Sequence, residues 1–281
     1  MSRPAVFAAR QRAQLAAGCA PAQAGSPIWY PPQAGPPAGR QKARLLGRAA
    51  LGMVYPRRCP YCGGVIGFAP VLACGRCAGK LEGLERPVKR LSPSLHYFGR
   101  MEGAAAVYRY KGCARSAVHR IKYEGAAWCG PDLGICMAQK LFGCTFSRQY
   151  GILYAERSLA AVEYDVIVPV PASDRRRGYN VPLLLARPLS CGLGLPLLPQ
   201  ALVRTRFTRR QAGLPLEQRL ENAAGAFAPA PGMTALLEGK RVLLVDDVIT
   251  TGATAAACTQ ALLAAGAESV FAVALCVSEP E

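Results

Sequence analysis

The sequence predicts an α/β protein whose mostly parallel sheet is flanked by helices. Apolar runs with the length of buried strands recur in the second half of the chain, as in Val166–Val170 and Val242–Val245. Such runs are typical of strands that are covered on both faces. Segments of helical composition lie between the runs, and strands that alternate with helices usually form a parallel sheet.

The predicted elements begin at residue 103. In chain order they are a strand (Ala104–Tyr110), a helix (Ala114–Tyr123), a second helical stretch (Ala127–Phe146, broken near Gly130 and Pro131), a strand (Val166–Val170), a helix (Val181–Leu189), a strand near Leu198–Arg204, the strand Val242–Val245 with an alanine-rich helix after it, and a closing strand (Val270–Val277). Residues 103–281 are therefore predicted to form one α/β domain.

The rest of the chain divides by composition. Residues 1–41 are rich in Ala, Pro and Gln, which predicts a disordered tail. Residues 42–85 are predicted to hold a short helix (Lys42–Met53) and a small module with four cysteines, and residues 86–102 a linker. The net charge of the 281 residues is +17, and residues 1–58 hold nine Lys or Arg and no acid. This charge favours a polyanionic partner, although a solvated basic tail is the simpler interpretation.

Four of the twelve cysteines form two Cys-x-x-Cys pairs, Cys59 with Cys62 and Cys74 with Cys77. Four thiolates complete the tetrahedral shell of a structural Zn²⁺, which is the favoured interpretation. A redox dithiol or two local disulfides are the alternatives. The amino terminus lacks the compact apolar segment of a signal peptide, and no 18-residue apolar run is uninterrupted. We therefore expect a cytoplasmic protein without a membrane span.

The most informative stretch is Val242–Thr254, VLLVDDVITTGAT. Asp246 and Asp247 follow the apolar strand, and ligands of open α/β sheets bind at the carboxyl ends of strands. The loop that follows contains Thr250, Thr251, Gly252, Ala253 and Thr254 and leads into a helix, whose free N–H groups favour a phosphate. Paired acids can hold ribose hydroxyls or hydrated Mg²⁺. The alternative is that these residues only cap the helix. The stretch resembles the phosphoribosyl-pyrophosphate (PRPP) motif of type I phosphoribosyltransferases.

Two arginine-rich segments lie near this predicted site. Arg175–Arg177 follow the Val166–Val170 strand, and their guanidinium groups suit pyrophosphate, although a solvated basic loop is equally expected. Residues Arg204–Asn222 have no clear helix or strand pattern. They are interpreted either as a lid over the substrate or as a groove for single-stranded nucleic acid, with Phe207 as a stacking platform.

Several motifs together resemble the ComF family of competence-associated proteins from about Leu45 onwards. They are YPRRCPYCG, the second CGRC pair, YRYKG with AVHRIKYEG, VPVP with RRRGYN, RTRFTRRQAGLPLEQRLENAAGAF, and VLLVDDVITTGAT. The resemblance implies a zinc-ribbon-like module followed by a type I phosphoribosyltransferase-like domain.

The resemblance also implies site residues and partners. Asp246 and Asp247 would contact the ribose hydroxyls of PRPP, the loop 250–254 would surround its 5′-phosphate, and Mg²⁺ would bridge its oxygens. Lys122 and Arg177 are assigned to the same phosphate-binding set, and the four cysteines to Zn²⁺. Two functions remain open: phosphoribosyl transfer to an unknown acceptor, or the handling of single-stranded DNA beside DNA-uptake proteins.

Overall fold

The structure is a computed structural model that describes residues 56–67, 71–86, 91–92, 96–149, 152–156, 162–172, 175–205 and 225–278. Several predictions fall outside these residues. They concern the tail 1–41, the short helix Lys42–Met53, and residues 206–222 of the second arginine-rich segment. The first described residues belong to the four-cysteine module.

The described elements alternate as the sequence predicts. In chain order they are α1 (Gly75–Glu82), β1 (Gly103–Arg109), α2 (Gly112–Tyr123), α3 (Cys129–Phe142), β2 (Thr145–Gln149), β3 (Ile152–Glu156), β4 (Val166–Pro169), a 3₁₀ turn (Arg175–Arg177), α4 (Val181–Leu193), β5 (Leu202–Arg204), β6 (Phe227–Pro229), α5 (Thr234–Leu237), β7 (Arg241–Ile249), α6 (Ala253–Ala264) and β8 (Ser269–Val277). The helices in the described part of the chain are not long and apolar enough to cross a bilayer.

A parallel sheet with the strand order β1-β8-β7-β4 forms the centre of the α/β domain. Strand β7 is interior in this sheet and buries apolar residues on both faces. Leu243 and Val245 belong to a core cluster that also includes residues of α2, α3 and α4. Val242 and Leu244 belong to a second cluster with residues of α6. The predicted fold class is confirmed, because the apolar runs are strands covered on both faces.

The prediction for Ala127–Phe146 is wrong in two respects. Helix α3 runs through Gly130 and Pro131 without a break, since Pro131 lies in the first turn, where a backbone N–H has no helical acceptor. The helix then ends at Phe142, and Thr145–Gln149 pairs antiparallel with Ile152–Glu156. The end of the predicted helix is therefore the first strand of a hairpin.

The end of the cysteine module and residues of the predicted linker lie against the edge of the sheet. Arg109 donates its backbone N–H to the carbonyl of Leu84, and Arg86 donates to Val107. Leu91 donates to Ala104 and is almost completely buried. Since β1 is the outer strand on this side, these hydrogen bonds satisfy backbone groups that an open edge would expose.

Candidate functional site

The two predicted acids lie within strand β7 rather than after it. The strand continues to Ile249, and Asp246 and Asp247 are only 8% and 6% exposed. The backbone N–H of Asp247 donates to Oδ1 of Asp246 over 2.8 Å. Lys122, in the last turn of α2, places its Nζ 2.7 Å from Oδ1 of Asp247. The structure thus brings Lys122 against the two acids, although α2 and β7 are far apart in sequence.

Burial and neighbouring charges shift the pKa values of Asp246 and Lys122. Burial raises the pKa of Asp246 to about 7, and the negative charge of Asp247 adds to the rise. The positive charge of Lys122 and the Asp247 N–H act in the opposite direction. For Lys122, burial opposes the charged form, but the Asp247 and Asp246 carboxylates outweigh it and raise the pKa. Asp246 is therefore partly protonated near pH 7, beside a charged lysine.

The loop after β7 has the geometry of an anion site at a helix amino terminus. Gly252 is the N-cap of α6 and has φ +87°, a conformation that favours glycine. A Cβ at this position would collide with the carbonyl oxygen of Tyr97. The backbone N–H of Tyr97 in turn donates to the carbonyl of Thr251 over 2.7 Å. The first N–H groups of α6 have no acceptor within the helix, which suits a phosphate.

Residues 96–100 were not predicted to contribute to this loop, and no local pattern indicates it. Tyr97 is far from Thr251 in sequence, and the contact is made mainly through backbone atoms. Sequence patterns report side-chain character, so a backbone-to-backbone contact of this kind leaves little signal.

Arg177 lies against the end of α2, where it contacts the backbone of Lys122. Its Nε donates to the carbonyl oxygen of Lys122 over 2.7 Å, and its guanidinium carbon lies 6.0 Å from the centre of the Tyr123 ring. The hydroxyl of Tyr179 donates to the carbonyl of Ile121 over 2.6 Å. The predicted arginine loop is thus joined to the end of α2, and the role of Tyr179 was missed in the sequence.

The four predicted metal-ligand cysteines form one cluster. The sulfurs of Cys59, Cys62, Cys74 and Cys77 all lie within 4.8 Å of one another, and those of Cys62 and Cys74 are 3.7 Å apart. Zn–S bonds of about 2.3 Å in a tetrahedron require sulfurs about 3.8 Å apart, so this donor set fits zinc.

The backbone around the cluster favours a thiolate at Cys62, whereas burial raises the pKa of Cys77. Gly64 donates its N–H to the sulfur of Cys62, and this hydrogen bond lowers the pKa of the Cys62 thiol to about 6. The Cys74 N–H lies 3.5 Å from the Cys59 sulfur. Cys74 is the N-cap of α1 and Cys77 lies in its first turn. The second pair thus begins a helix, an arrangement that the sequence did not indicate.

The cysteine module shares the core of the α/β domain. Tyr61, between the first two cysteines, is 2% exposed and packs edge-on against Tyr108 of β1, with ring centres 6.2 Å apart. The hydroxyl of Tyr108 lies 3.1 Å from the sulfur of Cys136 on α3. Arg57 places Nη2 2.8 Å from Oδ2 of Asp132, also on α3. These contacts are buried or half-buried, so the cysteine cluster and the sheet are packed as one unit.

Comparisons with known proteins give one family match and several similar proteins. Residues 184–280 match the family described as Phosphoribosyl transferase domain. DNA utilization protein YhgH of Salmonella typhi is 31% identical over 221 residues, which cover 78% of this chain and 83% of that protein. Competence protein F of Haemophilus influenzae is 38% identical over 109 residues, 38% of this chain and 47% of that protein. A solved structure of the allosteric regulatory enzyme of purine biosynthesis aligns with 53% of this chain and 25% of its own, at 24% identity and a TM-score of 0.32.

The similarity to YhgH extends over most of both proteins. Together with the match to the phosphoribosyltransferase domain and the four-cysteine cluster, it confirms the resemblance seen in the sequence motifs. The chain belongs to the ComF family of phosphoribosyltransferase-like proteins.

Proposed function

We propose that this protein binds PRPP, or a related phosphoribosyl compound, together with Mg²⁺ and transfers the phosphoribosyl group to an acceptor. One observation carries the proposal: two adjacent, buried carboxylates lie just before a helix amino terminus that Gly252 opens. A phosphoribosyl ligand requires acids that hold its ribose hydroxyls or a hydrated cation. It also requires a helix amino terminus that binds its phosphate.

Each predicted residue has a role in this proposal. Asp246 and Asp247 hold the ribose hydroxyls or the hydrated Mg²⁺. The loop 250–254 binds the 5′-phosphate through backbone N–H groups and threonine hydroxyls. Lys122 supplies positive charge beside the acids, and Arg177 supplies it at the neighbouring end of α2. Bound Mg²⁺ supplies further charge neutralisation for the departing pyrophosphate.

The reaction would proceed by charge stabilisation. The bond from C1 of the ribose to pyrophosphate breaks, the electron pair leaves with the pyrophosphate, and positive charge develops on the sugar ring. The acid pair holds the ribose during this step, the cations neutralise the leaving group, and a lone pair of the acceptor forms the new bond to C1. Within the described residues we identify no group placed as a covalent nucleophile.

Ligand-induced thermal stabilisation tests the proposed site. Millimolar PRPP with Mg²⁺ should raise the Tm of the wild-type protein, and the double variant Asp246→Asn, Asp247→Asn should lose that shift. Asp165→Asn is a suitable control, because Asp165 is a half-buried acid that pairs with Arg241 outside the site. No shift in the wild type would refute PRPP binding. A screen for PRPP consumption with free bases and simple nitrogen acceptors would then identify the acceptor.

The same proposal assigns one structural Zn²⁺ to the four cysteines. The fit of the sulfur spacing to zinc supports it, as does the absence of an open coordination position in a four-cysteine shell. Metal analysis of the purified protein should find about one zinc per chain. Reduced thiolates of this kind fit the cytoplasm, where we place the protein.

The second candidate function is the handling of single-stranded DNA. The +17 charge supports it, and so do the names of two relatives, a DNA utilization protein and a competence protein. Phosphate contacts release counterions, so single-strand binding should weaken steeply as salt is raised. A flat salt dependence would argue against DNA as a partner. DNA-uptake proteins would be further partners in this case.

A further inference from the structure

We propose that Arg177 and Tyr179 are positioning residues that hold the end of helix α2 and thereby keep Lys122 against Asp247. We call the two side chains, Arg177 and Tyr179, the α2 clamp. The functional part of this inference rests on the proposed phosphoribosyl site. Its first test measures the protein alone and needs no ligand. In this role the loop after β4 acts on Lys122 indirectly, because it holds the backbone of α2.

The end of α2 explains why a clamp is needed. The last carbonyl groups of a helix have no N–H donor within the helix and must be satisfied from outside. Glu124 donates its N–H to the carbonyl of Arg120, and the helix goes no further than Tyr123. The next two carbonyls, of Ile121 and Lys122, accept from the hydroxyl of Tyr179 over 2.6 Å and from Nε of Arg177 over 2.7 Å. Both distances are those of good hydrogen bonds.

The charge of Arg177 suits this position. The carboxyl end of a helix carries partial negative charge, which a nearby guanidinium stabilises. The hydrogen bond to Lys122 joins a charged donor to a half-buried backbone carbonyl, which is the stronger class of hydrogen bond.

The other side of the loop is anchored to the central sheet. Asn180 donates its Nδ2 to the carbonyl of Val170 over 3.0 Å, directly after β4, and it is the N-cap residue of α4. The ring of Tyr179 packs against the core cluster that contains residues of α2, α3 and α4. The loop therefore connects β4, the neighbour of β7 in the sheet, to the last turn of α2.

This connection matters because Lys122 has a long, flexible side chain. Its Nζ is 2.7 Å from Asp247, while 24% of the side chain is still exposed to solvent. Pairing restricts the lysine side chain, and the ion pair must offset this loss of conformational entropy. A lysine that can also reach water therefore keeps the pair only when its backbone is held at the right distance from the carboxylate. Release of the clamp should therefore let Lys122 leave Asp247 without unfolding the domain.

Amine labelling measures this directly. Full-length protein is treated briefly with an acetylating reagent, and the labelling of individual lysines is quantified by mass spectrometry. We expect Tyr179→Phe, which removes one hydrogen bond and keeps the ring, to raise the labelling rate of Lys122 about threefold or more. Arg177→Met provides an independent variant with the same expected result. Lys140, which pairs with Glu85 at 2.7 Å, is the internal control.

Tyr110→Phe is the matched control variant, because Tyr110 is also half-buried and packs against the same core cluster. It should leave Lys122 labelling unchanged. An unchanged Lys122 rate in both clamp variants overturns the proposal. A rise that Lys140 shares, or that Tyr110→Phe reproduces, overturns it too, because either result points to general loosening of the fold.

A double-mutant cycle tests the functional meaning. Tyr179→Phe should weaken Mg·PRPP binding about threefold to tenfold in the wild type and add no further loss in a Lys122→Met background. An equal loss in both backgrounds would show that the hydroxyl acts independently of Lys122 and would overturn the positioning role. If the wild type binds no PRPP, the proposed function fails, and the labelling experiment still decides whether the clamp holds Lys122.

Discussion

Lys122 and Asp247 lie on different elements, α2 and β7, and their Nζ and Oδ1 atoms are 2.7 Å apart. Asp247 is 8% exposed at its side chain, so this pair is better shielded from water than a surface ion pair. The lysine is the main positive charge that acts on Asp246, where it opposes the rise of the pKa to about 7 that burial causes. The stability of the site should therefore depend on this lysine.

We expect Lys122→Met to lower the free energy of unfolding by about 1–3 kcal/mol, because it leaves two buried carboxylates without their cation. Urea unfolding near pH 8 measures the effect. Lys140→Met is the matched control: Lys140 makes an ion pair of the same length with Glu85 but is 47% exposed, so its loss should be smaller. Equal losses in the two variants would contradict the importance of burial at Asp247.

Asp246 should make the stability of the folded protein depend on pH. Its pKa is raised to about 7 by burial, so the folded state keeps a proton that the unfolded state releases near pH 4. This contribution is complete below about pH 4 and is lost as the pH rises towards 7, with a slope of at most about 1.4 kcal/mol per pH unit. Comparison of unfolding curves for wild type and Asp246→Asn between pH 4 and 8 isolates it. The same slope in both proteins would contradict the assignment.

Gly252→Ala should disrupt the loop before α6 more than an ordinary glycine substitution does. The change adds a Cβ at a positive φ and drives it into the Tyr97 carbonyl. Gly143→Ala is the matched control, since Gly143 also has a positive φ, +64°, but open space around it. The control should cost about 1–2 kcal/mol and Gly252→Ala clearly more. Thermal unfolding of the two variants measures the difference. Equal losses of stability would show that the Tyr97 backbone moves aside at little cost in free energy.

Loss of the proposed zinc should destabilise the α/β domain as well as the cysteine module. Tyr61 lies between two of the cysteines and is packed against Tyr108 in the central sheet. We therefore expect Cys59→Ser to reduce the bound zinc and to lower the Tm of a single cooperative transition. Cys191→Ser, which alters a half-buried cysteine outside the cluster, should keep its zinc. A separate low-temperature transition in Cys59→Ser would show that the module unfolds on its own.

The elements of this fold differ in how clear a pattern they leave in the sequence. Strands β4, β7 and β8 are buried on both faces, so they appear as short apolar runs and were predicted within a few residues. The hairpin β2–β3 was missed because Thr145 and Phe146 extend the composition of the helix before them. Pairing across the turn, which makes them a strand, is absent from the local pattern.

Residue order alone was enough to identify the paired acids, the glycine and threonine loop and the four cysteines, because each set is contiguous or regularly spaced and each matches a known chemistry. The α/β class and the family that the sequence predicts are confirmed. The partners of those residues depended on packing. Lys122 meets Asp247, Tyr97 covers Gly252, and Tyr179 holds the end of α2 only because the chain folds distant segments against one another. Contacts between segments so far apart are set by the shape of the core, which no local pattern encodes.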